Sequence, residues 1–146
     1  MRVFISVLCI LFMPLVGFTD NGYSEPPRGS ATRAALMDAI RPHAEWMLGA
    51  PVAFVVSDLR VAGNLAFAML RPQRPDGRMI DPAKTPMVLR GGADPEMMDG
   101  VAIQALYRKS GDTWVAVHWA IGATDVWFSS PDLCEAYRRV IPDYCR

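Results

Sequence analysis

The sequence predicts an α+β domain: an N-terminal helix packed on a bent four-stranded antiparallel sheet of two hairpins, with a short C-terminal helix closed by a disulfide. Three observations carry this expectation. Apolar residues recur at helical spacing over Leu36, Ile40, His43 and Met47, and from Val52 the period changes to two. The period-two runs come in pairs, joined by tight turns at Gly63-Asn64 and at Ser110-Gly111-Asp112. Finally, Cys134 and Cys145 bracket the last segment.

The chain opens on Met1-Arg2 and an apolar run from Val3 to Val16, followed by small and polar residues. That pattern reads as a secretory signal peptide over 1–19, with Cys9 an ordinary apolar residue of the run. The run is shorter than the ~20 apolar residues that span a bilayer, so no stable membrane insertion is expected. Residues 20–29 are polar, with Pro26-Pro27 and Gly29, and are expected to form a flexible tether. Residues 30–146 then form a single domain large enough to bury its own core.

Ser30 or Thr32 suits the N-cap of a helix ending near 48, with Gly49 as its stop and Pro51 beyond. Pro42 lies inside and is expected to kink or divide the helix, because proline removes a backbone donor. A first strand follows over 52–62 and its partner over 64–71. Phe54 and Val56 share one parity, Leu59 and Val61 the other, which predicts a β-bulge around Ser57-Asp58. The second hairpin spans 101–109 and 113–121. Ser130-Pro131-Asp132 starts the last helix, with proline at the first position and an acid in the first turn. Arg138 and Arg139 suit its far end, and Leu133, Tyr137 and Val140 are expected to face the body.

The 71–100 connection exceeds the ~12–15 residues usual for a loop without a task. Met79, Ile80, Met87, Val88 and Leu89 make it too apolar for a free linker. It is expected to lie against the sheet, with an edge strand over 86–90 and a helical turn beginning at Asp94-Pro95. Cys134 and Cys145, an even pair in an exported chain, are expected to form a disulfide. Their spacing is not that of a redox motif and no histidine lies nearby. Closing so short a loop stabilises the fold by somewhat under ~3 kcal/mol.

Charge narrows the functional classes. Fifteen basic residues balance fifteen acidic ones, which gives no electrostatic case for nucleic acid or an anionic membrane surface. Arg71, Arg74, Arg78 and Arg90 all fall in the long connection. Guanidinium groups favour bidentate contacts with carboxylates or phosphates, so these four are candidates for gripping a small anionic ligand or an envelope protein. The alternative is that they pair with Asp76, Asp81 and their neighbours at the surface. His118 shares a strand face with Trp114, Ala116 and Ala120, and Asp125 follows soon enough to orient it as a general base. Against that stands a packing role among aromatics. Trp114 and Trp119 flank His118 and join the ligand-binding candidates, whereas His43 reads as a boundary residue of the helix stripe.

No His, Cys or carboxylate falls at metal-ligand spacing around either histidine, and Asp94, Glu96 and Asp99 lack the spacing of a calcium loop. No phosphate-binding glycine loop, G-x-S-x-G elbow or H-E-x-x-H motif occurs, and no cofactor is implied. The two-sided apolar pattern of Val115, Val117, Trp119 and Ile121 permits a homodimer.

Four stretches resemble a group of small exported bacterial proteins of unknown function. They are Arg71-Pro72-Gln73-Arg74-Pro75, Met98-Asp99-Gly100, Ala105-Leu106-Tyr107-Arg108-Lys109 and Ala120-Ile121-Gly122-Ala123-Thr124-Asp125-Val126. The resemblance covers roughly 33–126 and implies an envelope location; it carries no site residues with it. At the level of fold alone, the order of elements is similar to cystatin-like and NTF2-like rolls, which host binders, inhibitors and enzymes alike. The leading expectation is therefore an exported ligand- or protein-binding module acting through 71–100. The alternatives are an NTF2-like enzyme using His118 and Asp125, an inhibitor of an envelope enzyme, and a structural envelope component.

Overall fold

A computed structural model describes residues 22–146; the segment read as a signal peptide lies outside the described residues. The elements are α1 (Ala31–Leu48), β1 (Ala53–Ala62), β2 (Leu65–Gln73), α2 (Pro86–Leu89), β3 (Ile103–Ser110), β4 (Thr113–Ile121) and α3 (Pro131–Tyr137). Single helical turns lie at Pro82–Lys84, Pro95–Met97, Trp127–Ser129 and Pro142–Tyr144. The four strands form one antiparallel sheet in the order β1-β2-β3-β4.

Helix α1 starts where the Ser30 hydroxyl accepts a hydrogen bond from the Arg33 amide at 3.3 Å. It stops at Gly49, whose φ of 81° suits glycine and whose N–H donates to Glu45 O. It is not divided at Pro42, which sits inside one continuous helix. An internal proline costs ~3 kcal/mol. Full burial of Leu36, Ile40 and Leu48, at about 1.5–3 kcal/mol each, outweighs it. The buried stripe advances by fours, through Ala44 and Leu48, rather than through His43 and Met47. His43 is exposed on the flank and its ring lies 5.0 Å from that of Trp119.

The helix covers one face of the sheet, here the inner face. In β1 the register shifts between Val56 and Asp58, the bulge that the parity switch predicts. The extra residue keeps Phe54, Val56, Leu59 and Val61 together in the helix-facing core. A second shift, which the sequence did not reveal, lies where Leu106 pairs with His118 and Tyr107 with Ala116. Val117 is the extra residue there. Trp114 and Ala116 on one side of it, and Trp119 and Ile121 on the other, therefore all pack on the helix side.

The outer face is covered at one end by the C-terminal segment. Leu65, Phe67 and Leu106 of the sheet pack with Phe128, Tyr137, Val140 and Ile141 in a second core. The Cys134–Cys145 disulfide closes this segment, with the Cα atoms 5.5 Å apart. Residues 22–29 are not a free tether. Ser24 pairs antiparallel with Val61 through two backbone hydrogen bonds of 2.8 and 2.9 Å, and Pro26 is buried.

The long connection packs against the core through Ile80 and Met87. Its 86–90 stretch is the short helix α2, not an edge strand. Pro86 lacks the N–H a ladder requires and is preset for a first helical turn, and the preceding Thr85 is fully buried. The expected turn after Asp94 is present, capped by a 3.0 Å bond from the Glu96 amide to the Asp94 carboxylate.

Candidate functional site

The C-terminal cover reaches Met69 of β2 and goes no further along that strand. Beyond it the outer face is open, and the outward residues of β2 are Arg71 and Gln73, opposite Val55 and Ala53 of β1. Two loops raise walls around this patch. The first is the 73–79 hairpin, closed by Arg74 N–H to Arg78 O at 2.8 Å, which returns Met79 beside Gln73 with 91% of its surface exposed. The second is the segment 99–102, tied to the end of β4 by Asp99 N–H to Gly122 O at 2.9 Å and Gly122 N–H to Ala102 O at 2.8 Å.

Gly122 makes the second wall possible. A Cβ there would lie 2.6 Å from the Met98 methyl and 2.8 Å from Gly100 O, and its φ of 68° already favours glycine. Between the walls is a cleft of about 350 Å³, lined by Val55, Arg71, Pro72, Met79, Asp99 and Val101 among others. Its size falls at the small end of ligand pockets, and its lining is apolar with few polar groups. The stretches around Arg71, Met98-Asp99-Gly100 and Gly122, far apart in sequence, meet at this one place.

The four arginines of the connection do not act together. Arg74 donates to the carbonyls of Leu48, Gly49 and Pro51, so it caps the C-terminal end of α1. Arg90 lies over the Trp46 ring at 4.5 Å and donates to Trp46 O at 2.9 Å, serving the same helix end. Arg78 pairs with Asp76 at 2.7 Å, and its hydrogen bonds hold the exposed Asp76 carboxyl below the usual carboxylate range. Arg71 alone is left exposed with no hydrogen bond, ion pair or ring contact among the described residues. A free guanidinium beside an apolar cleft offers a planar, bidentate grip for a carboxylate.

The aromatic and histidine candidates lie elsewhere. The β4 bulge sends Trp114 and Trp119 to the helix side, where they belong to the core cluster. His118 is left exposed on the outer face, with its ring edge-on to Tyr137 at 6.0 Å. Asp125 is exposed too, and no hydrogen bond joins it to His118. The grouping of Trp114, His118 and Trp119 around one cavity is thus corrected by a single inserted residue. Among the described residues, no group of three or more His, Cys, Asp or Glu side chains could hold a metal ion.

Sequence reasoning passed over Arg60, a heavily engaged side chain among the described residues. Its guanidinium meets Asp58 at 2.8 Å and Asp143 at 3.0 Å, and lies over the rings of Tyr23, Phe67 and Tyr144 at 4.7–5.9 Å. Burial works against its charge, yet Asp58 foremost, then Tyr23 and Asp143, outweigh that and hold its pKa above the ordinary value. The available signal was Asp58 and Arg60 at the same parity in a predicted strand.

Comparison with known protein families, with characterised proteins and with solved structures finds no match.

Proposed function

We propose that this chain is an exported binding module whose ligand is a small organic anion with an apolar body, held in the Arg71 cleft. The observation that carries the reading is that Arg71 is the one arginine of the connection with no partner of its own, and it lines the cleft. Val55, Pro72, Met79 and Val101 would receive the apolar part, while Arg71 takes the carboxylate. Asp99 stands on another wall, so a ligand that also carries an amino group would find a counter-charge there. Export is supported by the disulfide, since such bonds persist in oxidising compartments. Among the described residues no helix is long and apolar enough to cross a membrane.

Calorimetric titration with octanoate, 2-aminooctanoate and octyltrimethylammonium tests the reading. Octanoate is expected to bind and the cationic amphiphile not to. The variant Arg71→Ala is expected to lose about tenfold or more in octanoate affinity, in keeping with a charged hydrogen bond of roughly 1.5–3 kcal/mol, with folding stability unchanged within ~0.5 kcal/mol. Tighter binding of 2-aminooctanoate would bring Asp99 into the site. Equal binding of all three probes, or full binding by Arg71→Ala, would remove the anion reading.

One observation favours a second reading, in which the chain docks on a protein. The 73–79 hairpin is hydrogen-bonded yet projects, with the Arg78 side chain 78% exposed and Met79 almost bare. An exposed loop held in one shape is what an inhibitor of an envelope enzyme would present.

A further inference from the structure

We infer that the outer edge of β1 over 54–56 is a docking strip for an extended, carboxylate-bearing peptide, which joins the sheet there as an added strand. Val55 borders both sites, but the backbone groups of Phe54 and Val56 and the side chains of Arg28 and Arg33 that carry this inference lie outside the Arg71 cleft, and the docking strip stands without it.

The edge already accepts a strand at its far end. Val61 gives both its N–H and its C=O to Ser24, at 2.8 and 2.9 Å, so the backbone groups of Val61 point away from β2. In an antiparallel pair these groups alternate between partner and outside. Counted along β1 with the bulge included, Phe54 and Val56 also turn outward. Their register agrees: Phe54 faces Pro72, which has no N–H to give it. The chain's own N-terminal segment cannot continue the pairing to this point, because Pro26 and Pro27 lack the donors a ladder needs. Among the described residues no further bridge reaches 54–56.

A groove lies beside the strip. It measures about 550 Å³ and is bounded by 54–56 on one side and by Arg28, Arg33 and Met37 on the other. Its charge decides the occupant. Arg28 is exposed and makes no ion pair or hydrogen bond among the described residues. Arg33 reaches Glu25 at 3.3 Å and Pro26 O at 3.0 Å, leaving the rest of its fork uncommitted. Arg41, outside the groove's lining, is already committed: it lies over the Phe54 ring at 5.1 Å, meets Asp38 at 3.7 Å and donates to Val52 O. The charged side chains lining the groove are Arg28 and Arg33, with only Glu25 among the described residues paired to either of them, so a peptide whose side chains alternate between apolar and acidic matches the groove. Its backbone would bond Phe54 and Val56, and its acids would meet Arg28 and Arg33. Main-chain bonding of this kind supplies affinity while alternate side chains supply selectivity.

The test is amide hydrogen exchange of the folded chain, with a soluble ten-residue peptide in which valine and threonine alternate with glutamate. The expected result is slowed exchange at Phe54 and Val56, none with the lysine counterpart, and loss of protection when alternate peptide nitrogens are methylated. Arg28→Glu is expected to weaken the glutamate peptide roughly fivefold, the scale of an exposed ion pair, while Arg71→Ala leaves it unchanged. Unaltered exchange at Phe54 and Val56 would overturn the proposal. So would equal protection by the lysine peptide, or changes confined to the Arg71 cleft.

Discussion

Arg60 and Arg71 sit on adjacent strands and the same outer face, yet their surroundings are opposite. Arg60 is 9% exposed, shares two carboxylates and lies among three rings. Arg71 is exposed and meets nothing but the open cleft. The difference arises in the cover. The C-terminal segment, tied by its disulfide, brings Asp143 and Tyr144 down onto the Arg60 end and stops short of Arg71. A buried charge needs its partners inside the protein, so Arg60 is committed to the fold. A solvated charge with no partner is available to a visitor. The contrast separates an arginine that holds the structure from one free to serve it.

Removing the committed one should hurt most. Arg60→Leu strips Asp58 and Asp143 of their cation and is expected to cost about 2 kcal/mol, less than a fully buried pair because Asp143 is 64% exposed. Urea unfolding measures it, and a change within error would erase the contrast with Arg71. Arg74 occupies the middle. Its bonds to three carbonyls, one in the last turn of α1 and two just beyond it, are partly exposed, and Arg74→Ala is expected to cost about 1 kcal/mol by the same measurement.

The smallest effect concerns the exposed hairpin and is one of pH. The Asp76 carboxyl is held below its ordinary value, chiefly by the Arg78 side chain. Its contribution is therefore complete above the unfolded value, near pH 4, and is lost as pH falls through the lower folded one. An NMR titration of the Asp76 side chain should show a midpoint below that of the Arg78→Ala variant. Identical midpoints would mean the hairpin is not held by this pair.

Much of the fold was legible because its signals are local. Ser30, Gly49 and the pairs of period-two runs mark the element ends, and the parity of Phe54, Val56, Leu59 and Val61 marks the first bulge. The second bulge was hidden. Trp114 to Ile121 offers apolar residues at both parities, so no register is preferred until α1 and α3 cover the two faces. That one residue undid the grouping of Trp114, Trp119 and His118. The arginines teach the same lesson. Arg71, Arg74, Arg78 and Arg90 look alike in sequence, and only the folded position of the α1 carbonyls and of Asp76 distinguishes the helix cap from the free cation. The 86–90 stretch is ambiguous in sequence because an apolar run fits a strand as readily as a buried helical turn, and the one local signal for the turn is Pro86 at its first position.

The cluster around Arg60 also has a consequence for how the chain is strung. Tyr23 and Tyr144 lie over the same guanidinium, so the two ends of the described chain come to rest side by side. The domain is nearly a ring. A short Gly/Ser linker joining those ends would disturb little, and the ring could be reopened at the exposed Gly111 turn between β3 and β4. A permuted protein beginning at that turn would keep every layer of the packing. What the domain depends on is which surfaces meet, with the order of its elements along the chain a separable matter.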